Sequence, residues 1–413
     1  MRLRVEQFGA LVGWLESTAD RGVIFRYEAA YCDRPGATPL SLSLPLREKE
    51  FSQAAAMPFF AGLLPDGDLR RRIADWLHVS ESSSLRLLDA LGGECAGTVS
   101  LINDKDEGDA DRAAPGYEEI TDEAFAGMIR DAERIPLLTP RNGARLSLAG
   151  AQDKLPLLRR DGRWYRPLGG APSSHILKPA SAAFPGIVAN EYACLKLAEA
   201  LGLPVPKAEI AEIGRPVLIL ERFDRIEEGA GRLVRLHQED SCQALGIMPD
   251  RKYQADGGPG FTDIAALIRR ACSAPLADME GLVGIALFNL MAGNCDAHGK
   301  NFSLLRRGGR LGLAPFYDLV ATTFWPELDT KLSMRVGREY RLEMIGQADL
   351  DDFAADLGVK PLVVRERRDA MIKAAIAGWD TVVALPELAG ERELLSRIRA
   401  GWEQRARRLS GRG

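Results

Sequence analysis

"NCDAHGKNFSLL", Asn294 to Leu305, is the stretch on which the reading of this chain turns. An apolar segment, "LVGIALFNLMAG" (Leu282 to Gly293), breaks there into an aspartate, a histidine, a glycine, a lysine and an asparagine, then returns to "FSLL". A solvent loop has this composition. So does a site where a divalent cation, a phosphate and a hydroxyl must meet.

Asp296 and Asn301 are separated by four residues, and Asp318 follows in "APFYDLV". Phosphoryl transfer from ATP asks little more of a protein: an aspartate to orient the attacking hydroxyl, and a neutral oxygen ligand plus a carboxylate to hold Mg²⁺ against the phosphates. Oxygen ligands are needed because Mg²⁺ is a hard ion with near-octahedral demands. Alone the spacing is weak, since roughly one Asp-x4-Asn pair is expected by chance in a chain of this length. Context strengthens it. The pair follows an apolar helical run, Asp318 follows the strand-like "LGLAPFY", and a strand lysine, Lys178 in "HILKPA", lies upstream.

A cation at Lys178 suits the α and β phosphates, and a snorkelling surface lysine reads the same way. Glu191, near the start of the next helical pattern, is a candidate partner, although acidic residues favour helix N-termini for dipole reasons. In "RLSLAGAQDK" (Arg145 to Lys154), Gly150 and its alanines let backbone N–H groups approach a phosphate; a tight turn before a hairpin is the plainer alternative. No "GxxxxGK[ST]" occurs, which disfavours a P-loop NTPase.

Composition excludes other classes. The chain has 413 residues, enough for two or three domains, with 46% hydrophobic and 27% charged residues, as in ordinary globular proteins. A formal net charge of −4 argues against electrostatic nucleic-acid binding by the whole molecule. Contact with DNA would need a partner or a local patch such as "SRIRAGWEQRARRLSGRG", which also reads as a solvated helix end. Six scattered cysteines, without Cys-x-x-Cys or Cys/His grouping, argue against zinc and a disulfide framework. The N-terminus resembles neither a signal peptide nor a membrane span, and the run Leu282–Gly293 is too short to cross a bilayer. A cytoplasmic protein without membrane attachment is expected.

Along the chain, "LRVEQFGALVGWLE" and "GVIFRYEAAYC" alternate like strands around Ala19-Asp20-Arg21-Gly22, and "PLSLSLPL" reads as another strand. "DLRRRIADWL" and "SSSLRLLDALG" have helical spacing, and "GTVSLI" returns as a strand. The acidic break at residues 104 to 116 suggests a boundary. Hairpins follow at "KLPLLRRDGRWYRP" and "AEIAEIGRPVLILERF", flanking the helix "NEYACLKLAEALG". Beyond residue 225 helical patterns dominate, "QEDSCQALG" among them. The expectation is a β-rich front half joined to a mostly helical back half.

The set "LSLAGAQDKLPL", "HILKP", "NEYACLKLA", "ERFDR", "QEDSCQALG", "KYQADGGPG", "NCDAHGKNFSLL" and "PFYDL", with "FFAGLLPDGDLRRRIA" and "LLDALGGECAGTVSL" before it, resembles the HipA family of serine/threonine kinases, toxin halves of bacterial toxin–antitoxin pairs. The resemblance covers nearly the whole chain in order. It implies an α+β, bilobal protein-kinase-like fold: a front subdomain (1–104), a β-rich lobe with phosphate loop and hinge (117–224), and a helical lobe with catalytic loop and metal site (225–413). It implies ATP and Mg²⁺ as cofactors, Asp296 as catalytic aspartate, and Asn301 and Asp318 as magnesium ligands. His298 falls in the nucleotide-contacting catalytic loop, and Lys178 at the phosphates. Glu221, Arg222 and Phe223 fall on the adenine hinge, and Ala149, Gly150, Ala151, Gln152, Asp153 and Lys154 form the phosphate loop. Ser147 matches the family's autophosphorylated serine. His237 has no assigned role.

The implied partners are a helix-turn-helix antitoxin (HipB-like), operator DNA through that antitoxin, and a protein substrate, an aminoacyl-tRNA synthetase in particular. Two other readings stay open at this level. One is a small-molecule or lipid phosphotransferase of the same fold; the other is a catalytically silent co-repressor scaffold.

Overall fold

In the computed structural model, which describes residues 1–20, 22–104, 115–140, 144–229 and 231–411, the N-terminal alternation becomes a four-stranded antiparallel sheet. Its strands are β1 (Arg2–Gln7), β2 (Ala10–Ser17), β3 (Val23–Tyr27) and β4 (Val99–Asn103), in the order β3-β2-β1-β4. Leu3, Val5, Val12, Leu15 and Phe25 point inward. "LRVEQFGALVGWLE" is not one strand but a hairpin. Phe8 and Gly9 take φ of 53° and 75°, the left-handed pair that a two-residue turn needs to match strand twist. Helices α1 (Ala29–Cys32), α2 (Gln53–Gly62), α3 (Gly67–Trp76) and α4 (Ser84–Leu91) belong to the same unit.

"PLSLSLPL" is a turn rather than a strand. Leu40 and Leu44 are buried, while Ser41 and Ser43 donate to the Gln243 carbonyl of the other lobe at 3.1 and 2.7 Å. The alternation mimics a strand because both sides of this turn are packed.

A six-stranded sheet comes next: β5 (Gly116–Ile120), β6 (Leu155–Arg160), β7 (Arg163–Leu168), β8 (His175–Pro179), β9 (Ala208–Glu212) and β10 (Pro216–Glu221), ordered β5-β7-β6-β8-β10-β9. It is flanked by α5 (Asp122–Asp131) and α6 (Ile187–Ala200). Because strand side chains alternate faces, the sheet serves two cores. Leu157, Leu177, Val217 and Ile219 join the front core with Leu3, Phe25 and Phe60. Leu218 and Leu220 join α6 and the helical lobe. Lys178 pairs across from Leu218 and shares that second face. The 104–116 break falls largely outside the described residues, as do Arg21 of the first turn and the last two residues of the basic tail.

The back half contains the hairpin β11 (Arg225–Glu228) and β12 (Arg232–Arg235), then a sheet of β13 (His237–Asp240), β14 (Ser303–Arg307) and β15 (Arg310–Leu313). Its helices are α7 (Ser241–Leu245), α8 (Phe261–Ala271), α9 (Pro275–Ala292), α10 (Gln347–Asp356), α11 (Pro361–Val383) and α12 (Arg392–Leu409), with a short pair β16 (Lys331–Val336) and β17 (Glu339–Arg341). "QEDSCQALG" is therefore strand then helix: Asp240 ends β13 and caps α7, accepting from Gln243 N at 2.8 Å.

Helix α9 is long and apolar enough to cross a bilayer by length and composition, and 67% of it is buried inside the protein. It is the axis of the helical core. The basic tail has work on its far end: Arg405 donates to Met291 and Ala292 carbonyls at 2.9 and 3.0 Å, satisfying the last turn of α9 just before Asn294.

Candidate active site

Between the lobes lies a cleft of about 950 Å³ including its mouth. At its floor Lys178 Nζ donates to Glu191 Oε1 at 2.8 Å and also bonds Asp318 Oδ1. Burial by itself would lower the Lys178 pKa; Asp318 and Glu191 outweigh it and hold the group above the ordinary lysine range. Glu191 is raised by burial, against Lys178. Asp318 is held well below the carboxylate range, because Lys178 and Lys154 overcome its desolvation. The pairing of Lys178 with Glu191 is thus present. It exists because β8 presents Lys178 on the face that α6 covers, and Glu191 stands in the first turns of α6.

Asp318 is not strand-borne. β15 ends at Leu313, Pro315 stops the ladder, and Asp318 sits at φ 54°, a left-handed conformation that costs an aspartate about 1 kcal/mol or more. What keeps it there is visible. The Asn190 amide, on α6 beside Glu191, donates to the Ala321 carbonyl at 3.2 Å and accepts from Ala321 N at 2.8 Å. Asn301 Nδ2 donates to Asp318 Oδ2 at 3.2 Å. Asn301 and Asp318 therefore meet at one point; an amide and a carboxylate oxygen are the hard ligands that Mg²⁺ takes, although here Asn301 turns its Nδ2 to Asp318 and its Oδ1 to His298 N.

The catalytic-loop residues turn around this point. His298 N donates to Asn301 Oδ1 at 3.1 Å. The His298 ring lines the cleft, edge-on to Tyr253, and burial among Lys252 and Lys300 lowers its pKa to about 3, so the imidazole is neutral. Asp296 stands apart from the cleft lining, and Tyr253 OH donates to its Oδ1 at 3.1 Å. Its side chain reaches solvent, yet crowding by neighbouring atoms and the charge of Asp318 lift its carboxyl above the usual value.

Of the phosphate-loop set, Ala149, Gly150 and Lys154 line the cleft; Ala151, Gln152 and Asp153 do not. Asp153 faces away and accepts from Leu137 N at 3.0 Å, and burial raises its pKa to about 6. Lys154 Nζ curls under the loop to donate to the Ala149 carbonyl at 2.5 Å, and burial lowers its pKa to about 8. Gly150 has φ +112°, a conformation that favours glycine, and a Cβ there would lie 2.5 Å from Lys154 Nζ, so the lysine tip would have to move aside. Ser147 is fully buried outside the cleft, its Oγ donating to the Leu63 carbonyl at 2.7 Å and its N–H to the Glu94 carbonyl at 2.9 Å.

At the hinge, Phe223 lies stacked on Tyr317 with centroids 5.6 Å apart, beside Ile176, Pro206 and Leu220. This is an apolar slot for a flat base. Glu221 pairs at 3.0 Å with exposed Lys207. Arg222 lines the cleft, and its guanidinium turns away from it. It is buried in a cluster with Glu94 (3.2 Å), Asp224 (2.8 Å) and the Cys95 carbonyl (3.2 Å), which Arg225 also joins at 2.7 Å to Glu94. "ERFDR" is thus largely a clamp between hinge and front subdomain.

Sequence reasoning missed four members of this region. Asp66 and Lys300 are joined within it at 2.7 and 2.8 Å; Asn190 and Tyr253 are described above. Lys300 and Asn190 adjoin residues singled out from the sequence, so a neighbour scan would have found them. Nothing local marks Asp66, which lies 234 positions from its partner. His237 is a core histidine, its Nδ1 against Thr98 Oγ1 at 3.1 Å and its pKa lowered to about 4 by burial.

Comparison with known proteins agrees with this architecture. The HipA-like C-terminal domain model matches residues 146–379, and the HipA N-terminal domain model matches residues 3–102. The chain is 41% identical to the putative kinase Y4mE of Sinorhizobium fredii, covering 87% of this chain and 86% of that one. It is 31% identical to the serine/threonine-protein kinase toxin HipA of Shewanella oneidensis, over 78% and 75% of the two chains. Among solved structures it superposes on a chain of the Shewanella oneidensis HipA, HipB and operator DNA complex with a TM-score of 0.86 and 26% identity, covering 99% of this chain and 97% of that one. The fold is the α+β, bilobal, kinase-like one.

Proposed function

The chain belongs to the HipA family, and on that premise we propose that it is an ATP- and Mg²⁺-dependent serine/threonine protein kinase acting as the growth-arresting toxin of a toxin–antitoxin pair. The observation that carries this reading is the convergence of Lys178, Glu191, Asn301 and Asp318 at the floor of one interlobe cleft with an apolar slot at its hinge. In it, residues 1–104 form the front subdomain, 117–224 the nucleotide lobe and 225–413 the catalytic lobe.

In the working site, Phe223 and Tyr317 seat the base, and Lys178 and Lys154 face the phosphates. Asn301 and Asp318 hold the Mg²⁺, which when bound neutralises charge on the transferring phosphoryl group. Asp296, oriented by Tyr253, receives the proton of the acceptor hydroxyl; its lifted pKa makes it a better base than an ordinary aspartate. The acceptor is a serine or threonine of a translation component, an aminoacyl-tRNA synthetase in the first instance. A HipB-like helix-turn-helix antitoxin neutralises the kinase and supplies the contacts to operator DNA, in keeping with the chain's own negative net charge.

Self-inactivation falls to Ser147. Its hydroxyl is enclosed against the Leu63 carbonyl, so phosphorylation requires the segment to leave its seat. The added charge, nearly two units, and bulk would then keep it out.

The test is intact-mass analysis before and after incubation with Mg·ATP, with phosphosite mapping. Wild-type protein should gain a phosphate on Ser147, and Asp296→Asn should lower the rate by ~10² to 10⁴-fold. Equal incorporation by wild type and Asp296→Asn would sink the reading.

A further inference from the structure

Asp66 occupies the N-cap position of α3, where an aspartate ordinarily turns its carboxylate onto its own helix. Here it makes no such cap. The side chain turns into the cleft instead, and both of its oxygens accept from Lys300 Nζ, at 2.8 and 2.7 Å, with Lys252 Nζ at 3.9 Å. Its backbone does a second job: Asp66 N donates to the Gly150 carbonyl at 3.1 Å, in a parallel bridge that pairs Pro65 with Gly150. One residue of the front subdomain therefore touches both segments that face the phosphates.

Lys300 has a reason to need a holder. It precedes Asn301 in the short turn Gly299–Asn301, its carbonyl accepts from Tyr317 OH at 2.7 Å, and its ammonium is nearly fully buried. Lys154 and Lys178 line the same cleft, so without an anion beside it Lys300 would be repelled toward solvent. Asp66 carries the counter-charge for Lys300, as Glu191 and Asp318 do for Lys178, so the cations share one pocket before a polyphosphate arrives.

We propose that Asp66 is a positioning residue for phosphoryl transfer, contributed by the front subdomain, which holds the Lys300 ammonium at the phosphate end of the cleft and tethers the loop at Gly150 to it. This rests on the kinase reading above and adds to it a part for the front subdomain within the transfer site.

A double-mutant cycle tests it, on the full chain, with Asp66→Asn, Lys300→Met and both together. Four quantities are read: initial phosphate transfer with Mg·ATP, the Kd of a fluorescent ATP analogue, hydrogen exchange of residues 145–154 without nucleotide, and the melting temperature. Each single change should lower turnover by about 10- to 100-fold with Kd changed by less than about threefold, and the double mutant should be no slower than the slower single. Exchange in 145–154 should rise in Asp66→Asn. Multiplying losses in the double mutant, or unchanged turnover with only a lower melting temperature, would overturn the proposal. If wild-type protein transfers no phosphate, the kinase reading fails by itself. The proposal then falls with it, while the Kd and exchange measurements still show whether Asp66 tethers the loop.

Discussion

Replacing Glu94 by glutamine removes one charge from the cluster that joins the front subdomain to the hinge. Glu94 and Asp224 face Arg222 and Arg225, and none of the four is more than 6% exposed. Two carboxylates against two guanidiniums sum to zero, so Glu94→Gln leaves one uncompensated positive charge out of water. Glu94 Oε1 also accepts from Ser173 N and Oγ, both at 3.2 Å, so the new amide would point a donor at other donors in at least one orientation. Breaking a buried pair from one side costs ~3–5 kcal/mol. In a chain of this size about 2 °C of melting temperature is lost per kcal/mol, so a drop of about 6–10 °C is expected. Thermal melts in 0.15 and 0.5 M salt are the assay, because a desolvated pair is screened little and the drop should persist. The exposed pair Arg163–Glu119, at 3.2 Å, is the control, and Glu119→Gln should stay within about 0.5 kcal/mol of wild type. A Glu94→Gln protein melting within about 1 °C of wild type would refute the claim that these charges act as a desolvated unit.

Two further outcomes follow from the cleft. Asn190→Ala removes both bonds to Ala321. It should lower turnover by about 10- to 100-fold while nucleotide Kd changes by less than about threefold, since it acts on the placement of Asp318; unchanged turnover in steady-state kinetics would show that the clamp is dispensable. Lys154, lowered to about 8 by burial, should lose its proton as pH rises through that value. ATP affinity measured by titration should therefore weaken above about pH 8, and the trend should vanish in Lys154→Met. The sign for stability is opposite: the folded pKa lies below the unfolded one, so the native state gains relative stability as pH rises from about 8 toward lysine's ordinary value.

Much of the architecture can be read locally. The turns at Asp161–Gly162 and the end of α6 at Gly202 follow from residues that accept positive φ, and α8 and α9 follow from their apolar patterns. The errors have a common cause. "PLSLSLPL" alternates because Ser41 and Ser43 are satisfied by a distant lobe, and "QEDSCQALG" mixes a strand with a helix because β13 pairs with β14 some 60 residues later. Arg222, by contrast, does line the cleft at the hinge, while its guanidinium pairs with Glu94.

From the sequence alone came the family, through the resemblance of its ordered motifs, the fold class that resemblance implies, and a short set of oxygen- and nitrogen-bearing residues that those motifs carry. Tertiary structure alone decided which of them meet: Lys178 with Glu191 and Asp318, Asn190 with Ala321, Asp66 with Lys300. Local pattern specifies which way a side chain points from its own element. Only the packing of one element on another places an opposite charge within hydrogen-bonding reach of it.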